Sequence, residues 1–317
     1  MKEDKIFTFS EASLEKELIC LEKEKIQQVR VCQKSILENK QKLLHFIALA
    51  EKKAPNVLFH FEIPLSIIDK DTVFAFSKIY SSLDIEFDSV DSNFSKNLSK
   101  KANLLNEAGL IFGFVVNLKD ISIKGFKSYV DFMILQYPNH ISFVTENLKP
   151  TNVLSTQDIK TVENLCFAIE TFYTFGRAVP WFISVLSPLK IRPSVLLSDF
   201  AEWQRCNNCN QKSGFNPKGE KHTEIEKMVL SFLKFKYEEK KLFHVFPVVE
   251  DLVKLQGAFA RACGEGEETI LDLSYSPNDL FSPYSQDILA FSEEVCMEAC
   301  SVKVFNTEYG PDWKVDF

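Results

Sequence analysis

The stretch Leu58-Phe-His-Phe-Glu-Ile-Pro64 places a histidine and a carboxylate two residues apart. Side chains alternate along a strand, so His60 and Glu62 share one face while Phe59, Phe61 and Ile63 take the other. Pro64 closes the run, as a proline does at a strand end. A second stretch, Leu83-Asp-Ile-Glu-Phe-Asp-Ser-Val90, adds Glu86 and Asp88 with the same alternation. Carboxylates and an imidazole collected at strand ends could accept hydrogen bonds from a polar ligand or move a proton as general acid and base. They could equally be a satisfied polar layer with no function. Two cysteine pairs, Cys206-x-x-Cys209 and Cys296-x-x-x-Cys300, each supply half of a zinc site. Because about 90 residues separate them, ordinary thiols are the expectation and no metal is expected.

These residues sit in a regular pattern. Apolar runs begin at Val29, Val57, Leu83, Leu110 and His140, spaced 26 to 30 residues apart. That is the length of one strand, one helix and two short loops. Leu14, Leu18 and Leu21 form one helical stripe, with Ser10 as its expected cap. Leu98, Ala102 and Leu105 form another, with Gly109 where a helix-ending glycine belongs. Strict alternation implies parallel strands joined by crossover helices. The expected fold is α/β: a partial, open β/α barrel of about five strands over residues 1–150. A mostly helical region with a short terminal strand, "VKVFN", is expected over 151–317. In that region Thr223 and Glu226 read as a capping box, His244 as a core histidine, and the aromatic cluster around Arg177 as packing.

Composition narrows the function. The chain has 317 residues, 45% hydrophobic and 26% charged, with a net charge of −7 that argues against nucleic-acid binding. Only 10 residues are glycine, and neither G-x-G-x-x-G nor G-x-x-x-x-G-K occurs, which speaks against a phosphate-cradling dinucleotide loop. No apolar signal core or membrane-length run is present, so a cytoplasmic protein with reduced cysteines and no membrane partner is expected.

The order of these runs resembles the radical S-adenosylmethionine superfamily, in its cobalamin-binding subgroup. "FHFEIP" is similar to the third barrel strand, "DIEFDSV" to the fourth with its acidic residue, "LNEAGLIFGFVV" to the fifth and "YPNHISF" to the sixth. The similarity covers roughly residues 7 to 150. It implies that Glu62 and Glu86, with His60 and Asp88 beside them, line an S-adenosylmethionine site at the strand ends. Family members also hold a four-iron cluster through C-x-x-x-C-x-x-C, since iron–sulfur clusters need cysteine thiolates. That motif is missing here, and the chain starts just after its expected place. No iron–sulfur cluster and no radical chemistry are therefore expected from this chain alone, with S-adenosylmethionine as a possible ligand. The expectation is a cluster-less binding or partner module, with a protein partner at the open barrel edge. The alternative is one component of a cobalamin-dependent enzyme whose cluster segment lies on another chain. A hydrolase or isomerase using the rim carboxylates is a third reading.

Overall fold

The structure, a computed structural model, describes residues 13–88, 92–119, 121–146 and 148–316. The expected cap Ser10 lies outside them. The chain forms two compact units, Met1–Ile121 with Phe132–Val153, and Ser122–Asp131 with Leu154–Phe317.

The first unit is built on five parallel strands: β1 (Gln28–Val31), β2 (Leu58–Pro64), β3 (Ser81–Phe87), β4 (Ile111–Asn117) and β5 (His140–Val144). Helices α1 (Leu14–Lys23), α2 (Lys34–Leu37), α3 (Lys40–Lys53), α4 (Lys70–Phe76), α5 (Ser92–Glu107) and α6 (Ile123–Ile134) are interleaved with them, the last shared between the units. The strands lie in sequence order, β1-β2-β3-β4-β5, and the sheet does not close. Crossovers of one hand between successive neighbours put their helices on one face and leave the other without them. The sequence agrees with that division. In β2 every second residue is buried, namely Phe59, Phe61 and Ile63. Phe46 of α3 meets Phe59 and Phe61 edge-on at 5.6 and 5.8 Å, and Phe76 of α4 meets Phe61 at 5.1 Å. Each ring buried there is worth about 1.5–3 kcal/mol. The helical stripes Leu14, Leu18, Leu21 and Leu98, Ala102, Leu105 are all buried. Gly109 adopts φ 66° just past α5, a backbone conformation that suits glycine.

The second unit contains α7 (Thr156–Ile169), continued by a π-helical turn (Glu170–Phe175), then α8 (Phe182–Leu186), α9 (Pro193–Cys206), α10 (His222–Glu239) and α11 (Phe246–Glu265). Strand β6 (Thr269–Leu273), helices α12 (Pro277–Leu280) and α13 (Ile288–Glu294), and strands β7 (Cys300–Thr307) and β8 (Gly310–Asp316) complete it. Phe172 is the hub of its core, touching Trp181, Phe182, Phe200 and Phe232 at 5.8, 5.7, 5.0 and 6.1 Å.

Several expectations for this unit change. The lone terminal strand is the middle of an antiparallel sheet, β6-β7-β8. Its flanking strands carry acidic residues and, in β8, a proline, so their pairing with β7 rather than their own pattern creates them. The Thr223–Glu226 capping box does not form: α10 starts at His222, behind Lys221, which makes no side-chain cap. Glu226 instead pairs with Arg261, because a buried carboxylate next to a buried guanidinium has more to gain there than at a helix end. His244 is exposed, since the 3-10 turn Phe243–Val245 turns only Val245 inward. Of the aromatic group near Arg177, Tyr173, Trp181 and Phe182 are buried, while Arg177 itself pairs with Glu265.

Candidate functional site

The polar face of the five-stranded sheet is ordered in rows by strand register. One row runs Arg30, His60, Ser82 from β1 to β3; the next runs Glu62, Asp84, Gly113, His140 from β2 to β5. Pro64 and Glu86 pair in the row above, nearest the C-terminal ends of the strands.

In the lowest of these rows His60 Nδ1 and Ser82 Oγ are hydrogen-bonded. Burial pushes the His60 imidazole below its ordinary pKa; nearby Asp84 opposes this, while Arg30 and His140 add to it. Arg30 of this lowest row and Glu62 of the middle row form an ion pair. His140 reaches across β4 so that its Nε2–H donates to Asp84 Oδ1 at 2.7 Å. Gly113 makes that reach possible: it lies in register between the two residues, and a Cβ on it would overlap the His140 ring. Burial would raise the Asp84 carboxyl, but the hydrogen bond and charge of His140, with Arg30 and His60, bring it below the usual range.

The rim is more open. Asn117 Nδ2 donates to Glu86 Oε1 at 2.8 Å and to Asp88 Oδ1 at 3.0 Å. Lys119 Nζ donates to Asp88 Oδ2 at 2.9 Å, and these bonds hold the Asp88 carboxyl below its ordinary value. A cleft of about 260 Å³ opens here, its charged lining made of Lys34, Glu38, Glu62, Glu86 and Asp88. Carboxylates outnumber cations, so the cleft favours positive charge. Cys32, one residue past β1, also lines it. Burial and the Glu62 charge push its thiol up, the reverse of what a nucleophilic cysteine requires.

Of the four candidate rim residues, Glu62, Glu86 and Asp88 therefore share one cleft, and His60 lies a row below, bonded to Ser82. Sequence reasoning passed over Arg30, Asp84, Gly113, Asn117 and His140. Asp84 was within reach, since it alternates with Glu86 and Asp88. His140 was not, because nothing local tells that a strand's first residue spans two neighbours.

The cysteine pairs stay apart in role. Cys206 and Cys296 are exposed, and Cys209 and Cys300 are half-buried. Cys209 Sγ lies 3.1 Å from the Asn207 carbonyl and Cys300 Sγ 3.7 Å from that of Tyr275. Among the described residues no three His, Cys, Asp or Glu side chains come together to hold a metal ion, and no helix is long and apolar enough to cross a membrane.

No family model matches the chain, and no curated protein matches it in sequence.

Proposed function

We propose that this chain is a cluster-less, radical-S-adenosylmethionine-like binding module that takes a cationic small molecule at its sheet rim. The observation that carries this reading is the shared cleft of Glu62, Glu86 and Asp88, three carboxylates at or just past the C-terminal ends of β2 and β3. S-adenosylmethionine has a sulfonium and an α-amino group, both positive, and it is the ligand the family resemblance suggests. A cleft of about 260 Å³ is below the ~300–1,000 Å³ usual for whole drug-sized ligands, so it suits the charged end of such a molecule. A partner role is supported by β1, which ends the sheet among the described residues and there has an edge that another strand could join.

Calorimetric titration tests the ligand reading. S-adenosylmethionine should bind more tightly than S-adenosylhomocysteine, which lacks the sulfonium charge. Charge-assisted hydrogen bonds contribute about 1.5–3 kcal/mol each, so Glu62→Ala or Glu86→Ala should weaken binding roughly ten-fold or more. Absence of heat with either ligand at millimolar concentration would retire the ligand and leave the partner role alone.

A further inference from the structure

Beside the rim cleft, on the sheet face away from α3 and α4, lie three side chains that do not line it: His60, Asp84 and His140. Glu62 joins the two places, since it lines the cleft and is the register neighbour of Asp84. Positions two residues apart on a strand are separated by about 6.5 Å, so Asp84 lies that far below Glu86. The two rings differ from the buried histidine of the helical unit. His222 has both nitrogens engaged: Nδ1 accepts from Arg261 Nη1 at 2.9 Å, and Nε2 lies 3.5 Å from the Gly176 carbonyl. His60 and His140 each have one nitrogen engaged and one with no hydrogen bond among the described residues.

The engaged nitrogens fix where the protons are. An ionised carboxylate only accepts, so His140 Nε2–H donates to Asp84 Oδ1, and the neutral ring keeps its lone pair on Nδ1. A carboxylate placed there holds that tautomer and stabilises the imidazolium that forms when the other nitrogen takes a proton. The ring lies directly over Gly113, and both side chains stay about a quarter exposed, 26% for His140 and 24% for Asp84. Ser82 is buried and makes no hydrogen bond except with His60, so its hydroxyl donates to Nδ1 and leaves the His60 proton on Nε2. One ring is therefore an acceptor and the other a donor. Ser82 is no nucleophile in this arrangement, because it is buried and Asp84 orients His140 rather than His60. The Cys32 thiol is pushed up and stays protonated. Water is the attacking group that remains.

Resting on the reading of the rim as a site for a small cation, we propose that this sheet face hydrolyses a carboxylic ester of such a cation. His140 is the general base, Asp84 its positioning residue and His60 the donor to the carbonyl oxygen. His140 Nδ1 takes a proton from water while the water oxygen bonds to the carbonyl carbon. The π pair of the carbonyl moves to its oxygen, which accepts from His60 Nε2–H. When that pair returns, the bond to the alcohol oxygen breaks and His140 gives its proton to the leaving oxygen. A carboxylic acid and an alcohol result, and nothing is oxidised or reduced. A short spacer between cation and ester matches the separation of the rows, with the charge at Glu86 and Asp88 and the ester over Asp84. An amide would ask more of the same base, because an amine leaves only once protonated.

Acetylcholine, and its uncharged analogue with carbon in place of the nitrogen, serve as probes on the full chain. Proton NMR follows hydrolysis and calorimetry follows acetylcholine binding. Acetylcholine should be hydrolysed above the buffer rate, and the uncharged ester with a KM roughly ten-fold higher or more. His140→Ala should lower kcat by roughly a hundred-fold or more, and added imidazole should restore part of the loss. Asp84→Asn should lower kcat by roughly ten-fold or more with KM little changed, whereas Glu62→Ala/Glu86→Ala should raise KM. Binding of acetylcholine without hydrolysis would overturn this inference and leave the rim reading standing. Equal KM for the two esters would overturn the rim reading, while hydrolysis that is lost in His140→Ala and rescued by imidazole would still support the base. Turnover unchanged in His140→Ala would overturn the proposal, and absence of both binding and turnover at millimolar concentration would overturn both readings.

Discussion

In the sheet unit Arg30 meets Glu62 with its side chain 59% exposed, whereas in the helical unit Arg261 meets Glu226 at 3% and 11% exposure. The same two residue types form both pairs, but the surroundings differ. Around Glu62 water can solvate whichever partner is left, so the pair adds little and either group is free to turn to a ligand. Around Glu226 no such relief exists. Burial raises the Glu226 carboxyl despite Arg261, and it lowers His222 from its ordinary 6.5 to about 4, with Arg177 and Arg261 adding to the effect. The rim is thus a set of charges kept available, and the helical cluster is a set of charges held by one another. Similar residue chemistry can serve recognition in one place and rigidity in the other.

The largest expected effect tests that contrast directly. Arg261→Met strands the Glu226 carboxylate in the interior and should cost about 3–5 kcal/mol, whereas Arg30→Met should cost at most about 1 kcal/mol. Denaturant unfolding of both variants measures the difference. Adding Glu226→Gln to Arg261→Met should recover part of the loss. Equal costs at the two positions would erase the distinction drawn here.

A pH titration of stability sharpens it. His222 is kept neutral by burial, with Arg177, Arg261, Glu226 and Glu265 as the charged groups around it. A base whose folded pKa lies below its unfolded value contributes stability above the unfolded pKa. That stability is lost as the pH falls, here between 6.5 and about 4. Relative to His222→Gln, which stays neutral and can make the same two hydrogen bonds, the native chain should lose up to about 3 kcal/mol over that window. Asp251 works in the opposite direction. Burial raises it to about 6 although it accepts N–H bonds from Ser274 and Tyr275, so its contribution falls as pH rises. Comparison with His222→Gln isolates the histidine from that opposing slope. Parallel curves for the two proteins would mean that His222 is not held neutral.

The smallest effect concerns the sheet face. Gly113→Ala puts a methyl group where the His140 ring lies. Overpacking of this kind costs about 1–3 kcal/mol. In the background of His140→Ala the same substitution should cost less, a non-additivity that a double-mutant cycle reads directly. Full additivity would show that the ring and the glycine do not depend on each other.

Much of the sheet unit was legible in the sequence because its signals are local. Alternation in "LFHFEIP" places Phe59, Phe61 and Ile63 on the buried side, and periodic apolar runs separated by amphipathic stripes dictate five strands and their crossovers. Alternation also puts Glu62, Glu86 and Asp88 on one face, since a period of two needs no knowledge of neighbours. The helical unit was less legible. Its α10 begins one residue before the apparent capping box, and β6 and β8 carry no pattern that stands out without β7 beside them.

In the sheet unit, local pattern therefore determined which residues form strands and helices, and which side of each strand is apolar. Tertiary structure alone decided the partners. Asp84 and His140 are 56 residues apart and meet only because three strands align in register with a glycine between them. Arg261 meets Glu226 across 35 residues because α10 and α11 pack closely at Gly257. The physical reason is the range of the forces: backbone preference and hydrophobic periodicity act within a few residues, while the neutrality of a buried histidine or the pairing of a buried arginine depends on whatever the fold brings within hydrogen-bond distance.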